Sequence, residues 1–184
     1  MRIEETGLAG LHVVHFDKFE DRRGYFMETF DSKAFQQLGL DIDFVLDATS
    51  FSDLKGTFRG LHYQEPPHAR ANMVRATKGK LFDVALDLRR GSTTFGEHFS
   101  ITLSSGEPKA LLLPAGFAHG FCTLEDATEV NYKLGDHYAP DHAKGVSVLD
   151  PDLKIDWPID PAAGIMSDND KNLPRLNNLS TPFT

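Results

Sequence analysis

Six consecutive residues, Arg59-Gly60-Leu61-His62-Tyr63-Gln64, bring an arginine, a histidine and an amide into one short stretch. An imidazole titrates near neutrality and can take a proton from a substrate and return it, while a guanidinium forks onto phosphate or carboxylate oxygens. In a regular strand, residues 59 and 62 face opposite sides; a bulge at Gly60 would turn Arg59 and His62 into one pocket. A lone strand histidine is more often half-buried packing than chemistry, so its company along the chain decides. Three further stretches carry more polar functionality than an antiparallel core requires: Asp21-Arg22-Arg23-Gly24-Tyr25-Phe26-Met27-Glu28, Pro114-Ala115-Gly116-Phe117-Ala118-His119-Gly120-Phe121 and Asn131-Tyr132-Lys133. Each is weak by itself. Arg23 with Glu28 reads as a surface ion pair, Phe26 as core, Asp170 as a solvated loop acid, and Tyr132 as cross-strand packing.

Short strands must position these residues. Strand-like runs cover residues 10–17, 25–30, 45–52, 73–77, 81–88, 98–103, 110–113, 116–122 and 128–134, and strand character flanks the 59–64 stretch. Turns rich in Gly, Asp and Ser separate the runs, and Phe19-Glu20-Asp21-Arg22-Arg23-Gly24 reads as a charged turn. One short helix is expected over 31–39, with Asp31 or Ser32 as N-cap and Gly39 past its end. The tail from Tyr138 is rich in Pro and Asp and reads as irregular structure with a few short turns. Many short strands at short intervals indicate an all-β sandwich or barrel, and the absence of a linker points to one domain over 1–184.

Composition excludes several classes. An apolar share of 40% and a charged share of 25% are ordinary for a globular protein, and no stretch approaches the ~20 apolar residues of a membrane span. A net charge of -8 argues against general nucleic-acid binding while leaving room for a local basic pocket. Met1-Arg2-Ile3-Glu4-Glu5 lacks the layout of a secretory signal and the sole cysteine, Cys122, has no internal disulfide partner, so a reducing cytoplasm is expected.

Together, in this order and at these separations, the four stretches closely resemble the dTDP-4-dehydrorhamnose 3,5-epimerase family. The resemblance runs over residues 7–176 and takes in Asp83-Val84-Ala85-Leu86-Asp87-Leu88-Arg89, Ile155-Asp156-Trp157-Pro158 and Ser167-Asp168-Asn169-Asp170. It implies a cupin-type jelly roll with a few short peripheral helices, forming a homodimer that exchanges N-terminal strands. It also implies a nucleotide-sugar substrate, a nucleoside diphosphate 4-keto-6-deoxysugar epimerised at C3, C5 or both, without cofactor or metal. The ketone acidifies the neighbouring C–H bonds, so such an enzyme needs a base, an acid on the other face and a partner for the enolate oxygen.

By the same resemblance, His62 is the general base, Asp170 its orienting carboxylate and Tyr132 the acid. Arg23, Phe26 and Glu28 match the nucleotide-binding stretch and Arg59 the diphosphate contact. Gln64, Asn72, His119 and Tyr138 join the substrate pocket, with His119 and Asp83 supporting the base. Pro114-x-Gly116-x-x-His119 is similar to half of a cupin metal motif, but His62, Gln64, Glu65 and His68 do not supply the His-x-His half, so metal is the minority reading. Three departures stand out: Asn72 where the family usually has lysine, and Leu46 and Ala48 where it commonly has polar residues. They leave the sugar and nucleotide open, with a GDP-linked mono-epimerase, a 3,4-ketoisomerase, a metal-dependent cupin and a non-catalytic sugar-nucleotide-binding cupin as alternatives.

Overall fold

The computed structural model describes residues 1–183. Alternating apolar residues become strands wherever a turn residue lets the chain reverse, and thirteen strands result: β1 (Arg2–Glu5), β2 (His12–His15), β3 (Lys18–Asp21), β4 (Gly24–Met27), β5 (Leu46–Ser52), β6 (Phe58–Gln64), β7 (Asn72–Lys78), β8 (Lys80–Asp87), β9 (His98–Ser104), β10 (Lys109–Leu113), β11 (Phe117–Thr123), β12 (Thr128–Leu134) and β13 (Ala143–Gly145). Eleven of them form two antiparallel sheets, ordered β1-β2-β10-β7-β12-β5 and β13-β6-β11-β8-β9. The chain changes sheet repeatedly, which gives the jelly roll that the family resemblance implies, within the sandwich or barrel expected from the strand spacing. β3 and β4 stand apart as a two-stranded hairpin.

The core between the sheets is built from inward-facing residues of both, among them Val74, Val130, Ala85, Phe117 and Phe121. Full burial of each large side chain contributes about 2 kcal/mol. A second cluster lies on the outer face of the five-stranded sheet, where the tail lays Val146, Val148, Leu153 and Phe183 over Phe58, Leu61, Tyr63 and Leu86. The outer face of the six-stranded sheet is covered over Val14, Met73 and Leu112 by Phe35 of helix α1 (Ser32–Gln37). Asp31 caps α1 by accepting from the Lys33 N–H, and Gly39 takes φ +77° beyond its end.

Four elements differ from the sequence expectation. Phe19–Asp21 is not a turn but part of β3, whose residues face no core on either side and so lack strand-like alternation. β1 is an edge strand with one partner, and its charged residues conceal it. The tail holds β13 and a one-turn helix α2 (Asp168–Lys171), both too short for a periodic signal. No described helix is long and apolar enough to cross a membrane.

The register of β6 against β11 controls the site. His119 pairs with His62 and Phe121 with Arg59, so β6 spends one more residue than β11 over the same span. That extra residue lies next to Gly60, whose φ is +106° and whose position leaves a Cβ 2.5 Å from the His119 carbonyl oxygen and 2.8 Å from the Gly120 Cα. Both obstacles are backbone atoms, which have nowhere to retreat. Gly60→Ala is expected to destabilise the protein by about 2 kcal/mol or more, read as a lower urea midpoint. An unchanged midpoint would show that the bulge tolerates a side chain.

Candidate active site

The bulge turns Arg59 and His62, three residues apart, into the same cleft. His62 Nε2 lies 2.7 Å from Asp170 Oδ1, and the other carboxylate oxygen accepts the Gly60 N–H at 3.2 Å. Asp170 is not a solvated loop acid: it is 5% exposed, on α2, where the Ser167 hydroxyl accepts the Asp170 N–H at 3.1 Å. The Ser-x-x-Asp spacing is therefore an N-cap signal that was readable in the chain. Burial alone would raise the Asp170 carboxyl, but the hydrogen bond and charge of His62, with the Gly60 N–H, hold it below the usual carboxylate range. An ionised Asp170 accepts a hydrogen bond from the His62 Nε2–H, which leaves the Nδ1 lone pair free to act as the base.

Tyr132 enters the cleft from the six-stranded sheet, whereas His62 enters from the five-stranded one. Its hydroxyl lies 2.8 Å from Ser50 Oγ on the neighbouring β5. Burial pushes the phenol up to about 12, with the Asp83 charge adding to the shift and Ser50 and Arg59 opposing it. The resting side chain is accordingly a protonated phenol. His119 also lines the cleft; its Nε2 meets both oxygens of the fully buried Asp83 at 2.9 and 3.1 Å, and its ring centroid lies 6.3 Å from that of Tyr132.

The other expected residues divide. Arg59, Gln64, Asn72 and Tyr138 all line the cleft, which has a volume of about 1000 Å³. Arg59 is steadied from β5 by Ser52 Oγ at 3.2 Å and the Phe51 carbonyl at 2.8 Å. The Gln64 amide spends its bonds on backbone, donating to the His68 and His137 carbonyls and accepting the Ala139 N–H. It thereby ties down the loop that carries Tyr138. Arg23 and Phe26 lie on the β3–β4 hairpin and Glu28 just after it, and none of the three lines this cleft. Leu46 and Ala48, the two departures on β5, do not line it either; on that strand it is Ser50 that reaches the cavity. Sequence reasoning missed Lys144 and Asn169, which line the cleft from the tail with no periodic pattern to mark them. Among the described residues, no group of three or more His, Cys, Asp or Glu stands close enough to hold a metal.

A carboxylate-bound imidazole on one sheet and a protonated phenol on the other define a jelly-roll enzyme equipped for proton transfer to and from a bound molecule. The family model described as dTDP-4-dehydrorhamnose 3,5-epimerase matches residues 5–178. A dTDP-4-dehydrorhamnose 3,5-epimerase of Methanothermobacter thermautotrophicus is 42% identical over 93% of this chain and 92% of its own, and one of Pseudomonas aeruginosa is 43% identical over 92% and 93%. The crystal structure of dTDP-6-deoxy-D-glucose-3,5-epimerase from Legionella pneumophila, in complex with dTDP-4-keto-L-rhamnose, superposes with a TM-score of 0.93 at 35% identity, over 100% of this chain and 98% of that one. The chain belongs to the dTDP-4-dehydrorhamnose 3,5-epimerase family, a family of isomerases.

Because the folded-state value of Asp170 lies below its unfolded one, the stability it confers is present above about pH 4 and lost as pH falls through the depressed value. Asp170→Asn is expected to flatten the acid side of the stability–pH curve below about pH 4. It should also lower turnover by about 10³-fold or more, since an amide does not fix the tautomer. An acid limb identical to wild type would refute the pairing.

Proposed function

We propose that the protein epimerises C3 and C5 of a nucleoside diphosphate 4-keto-6-deoxysugar, with dTDP-4-dehydro-6-deoxyglucose as substrate, in deoxysugar and polysaccharide biosynthesis. The observation that carries this reading is the convergence of His62–Asp170 and Tyr132 on one cleft from opposite sheets. A sugar ring lying between the sheets presents one face to each. His62 Nδ1 removes the proton beside the ketone, and the charge passes to the C4 oxygen as an enolate. Asp170 holds the resulting imidazolium. The Tyr132 O–H returns a proton to the same carbon from the other face, which inverts it. A tyrosinate left behind is strongly basic, given a phenol pushed up to about 12, and regains its proton from solvent.

Substrate contacts follow from charge and position. Arg59 suits the diphosphate, its fork pre-set by Ser52 and Phe51. The hairpin residues Arg23, Phe26 and Glu28 supply base and phosphate contacts in a homodimer, where each hairpin reaches the partner's cleft. This reading is supported by the exposure of Phe19, Tyr25 and Phe26, each more than half exposed in the single chain. Cys122 is buried and its thiol is pushed up to about 11 by that burial, in keeping with a structural thiol in a reducing cytoplasm. A second reading, epimerisation of one carbon only, is favoured by Asn72, which brings an uncharged amide to the cleft.

The test is proton NMR of dTDP-4-keto-6-deoxyglucose incubated with the protein in deuterated water. Deuterium should enter at C3 and C5; entry at one carbon alone would establish the mono-epimerase, and entry at neither would overturn both readings. His62→Ala should slow exchange by about 10²–10⁴-fold, while Tyr132→Phe should still exchange but return the proton to the original face. Mixed dimers of His62→Ala and Arg23→Ala/Phe26→Ala protomers should recover activity that neither parent has. Failure to recover it would place the hairpin outside the site.

A further inference from the structure

An enolate forming in this cleft needs a cation or strong donor at its oxygen, and three permanently cationic side chains among the described residues line the cavity: Arg59, Arg70 and Lys144. Two are poorly placed for the task. Arg59 is drawn toward β5 by Ser52 and Phe51 and lies on the strand that carries the base. Lys144 is exposed, and among the described residues its only hydrogen bond is a long one, 3.4 Å, to the neutral Asp141 backbone carbonyl, so its charge stands in water, where its pull on an anion is weak.

Arg70 differs on each count. It is half-buried just ahead of β7, in the same chain segment as Asn72, and β7 is hydrogen-bonded to the strand that carries Tyr132. One of its five N–H groups is spent on the Asp136 carbonyl at 2.9 Å, which anchors the guanidinium without neutralising it. The Asp136 carboxylate is itself occupied by the His68 ring at 3.0 Å and the His137 N–H at 2.7 Å. Asn72, two residues on, lines the same cleft with its Oδ1 buried and lacking any hydrogen-bond partner. An unpartnered buried carbonyl oxygen costs about 1–3 kcal/mol, a cost that a ligand hydroxyl would relieve.

Resting on the epimerase reading above, we propose that Arg70 is the catalytic cation that binds the enolate oxygen, and that Asn72 accepts a hydrogen bond from a hydroxyl of the same sugar. The pair divides the work: a fixed charge for the oxygen that becomes negative and a neutral acceptor for one that does not. Burial of Arg70 among protein dipoles strengthens the first interaction relative to water.

The test compares deuterium exchange and dTDP affinity across full-length variants. Arg70→Gln should slow exchange about 100-fold, with the Kd for dTDP changed by less than about 3-fold. Placing the cation two residues on, in Arg70→Gln/Asn72→Lys, should restore at least about 10-fold of that loss. Exchange by Arg70→Gln close to wild type would overturn the proposal. So would an equal loss of dTDP affinity, which would assign Arg70 to the diphosphate. A loss not rescued by Asn72→Lys and accompanied by a lower melting point would make Arg70 only an anchor for the Asp136 loop. Should Arg70→Gln fail to fold, Arg70→Lys carries the test: exchange within about 10-fold of wild type is expected, and a loss as large as that of His62→Ala would overturn the assignment. Absence of exchange in the wild-type protein would sink the epimerase reading itself, an outcome separate from all of these.

Discussion

One carboxylate makes two hydrogen bonds on which the rest of the site depends. Asp170 receives the Gly60 N–H with one oxygen and the His62 ring with the other, so the backbone irregularity that turns His62 into the cleft and the orientation of the His62 ring are held by the same group. Without the bulge, Arg59 and His62 would point to opposite sides of the sheet; without the carboxylate, the Gly60 N–H would lose its partner and the imidazole its orientation. The double duty makes the geometry stiff, because a movement of either partner is felt by both.

The two-sheet architecture performs a second task that no single strand could. An inversion at carbon needs proton donors and acceptors on both faces of a flat intermediate. A jelly roll provides this by construction, since its two sheets face each other across the cavity. His62 belongs to β6 in one sheet and Tyr132 to β12 in the other. Their surroundings differ. His62 stands half-exposed against an ionised acid, whereas Tyr132 is enclosed and its phenol is held protonated. Asp83 contributes at a distance, as a buried acid paired with His119 beside the phenol.

The distribution of apolar surface is equally informative. The barrel core, the tail-covered face and the face under α1 each close on themselves. The β3–β4 hairpin instead leaves three aromatic rings in water. A hairpin of two strands is marginal by itself, and this exposed apolar surface is what the proposed dimer would cover.

Much of this was legible in the chain. Alternation and turn residues specify most strands of the barrel, β1 and β13 excepted, to within a residue or two, because a half-buried antiparallel strand must alternate, and Asp31 and Gly39 bracket α1 for reasons of capping alone. The residue types around Arg59–Gln64, His119 and Tyr132 are weak signals singly, and it is their order and spacing along the chain, matched to the family, that point to acid–base chemistry. Tertiary structure alone decided the rest. β3 and β13 and the helix of Asp170 are short or exposed on both faces, so they lack the periodicity that burial imposes. That Asp170 is buried against a residue 108 positions earlier, that Gln64 bonds to loops and not to the cavity, and that Arg23 and Phe26 stand away from it are long-range facts. Local sequence encodes which face of a strand is apolar; which distant group fills the last hydrogen bond on that face is settled when the sheets close.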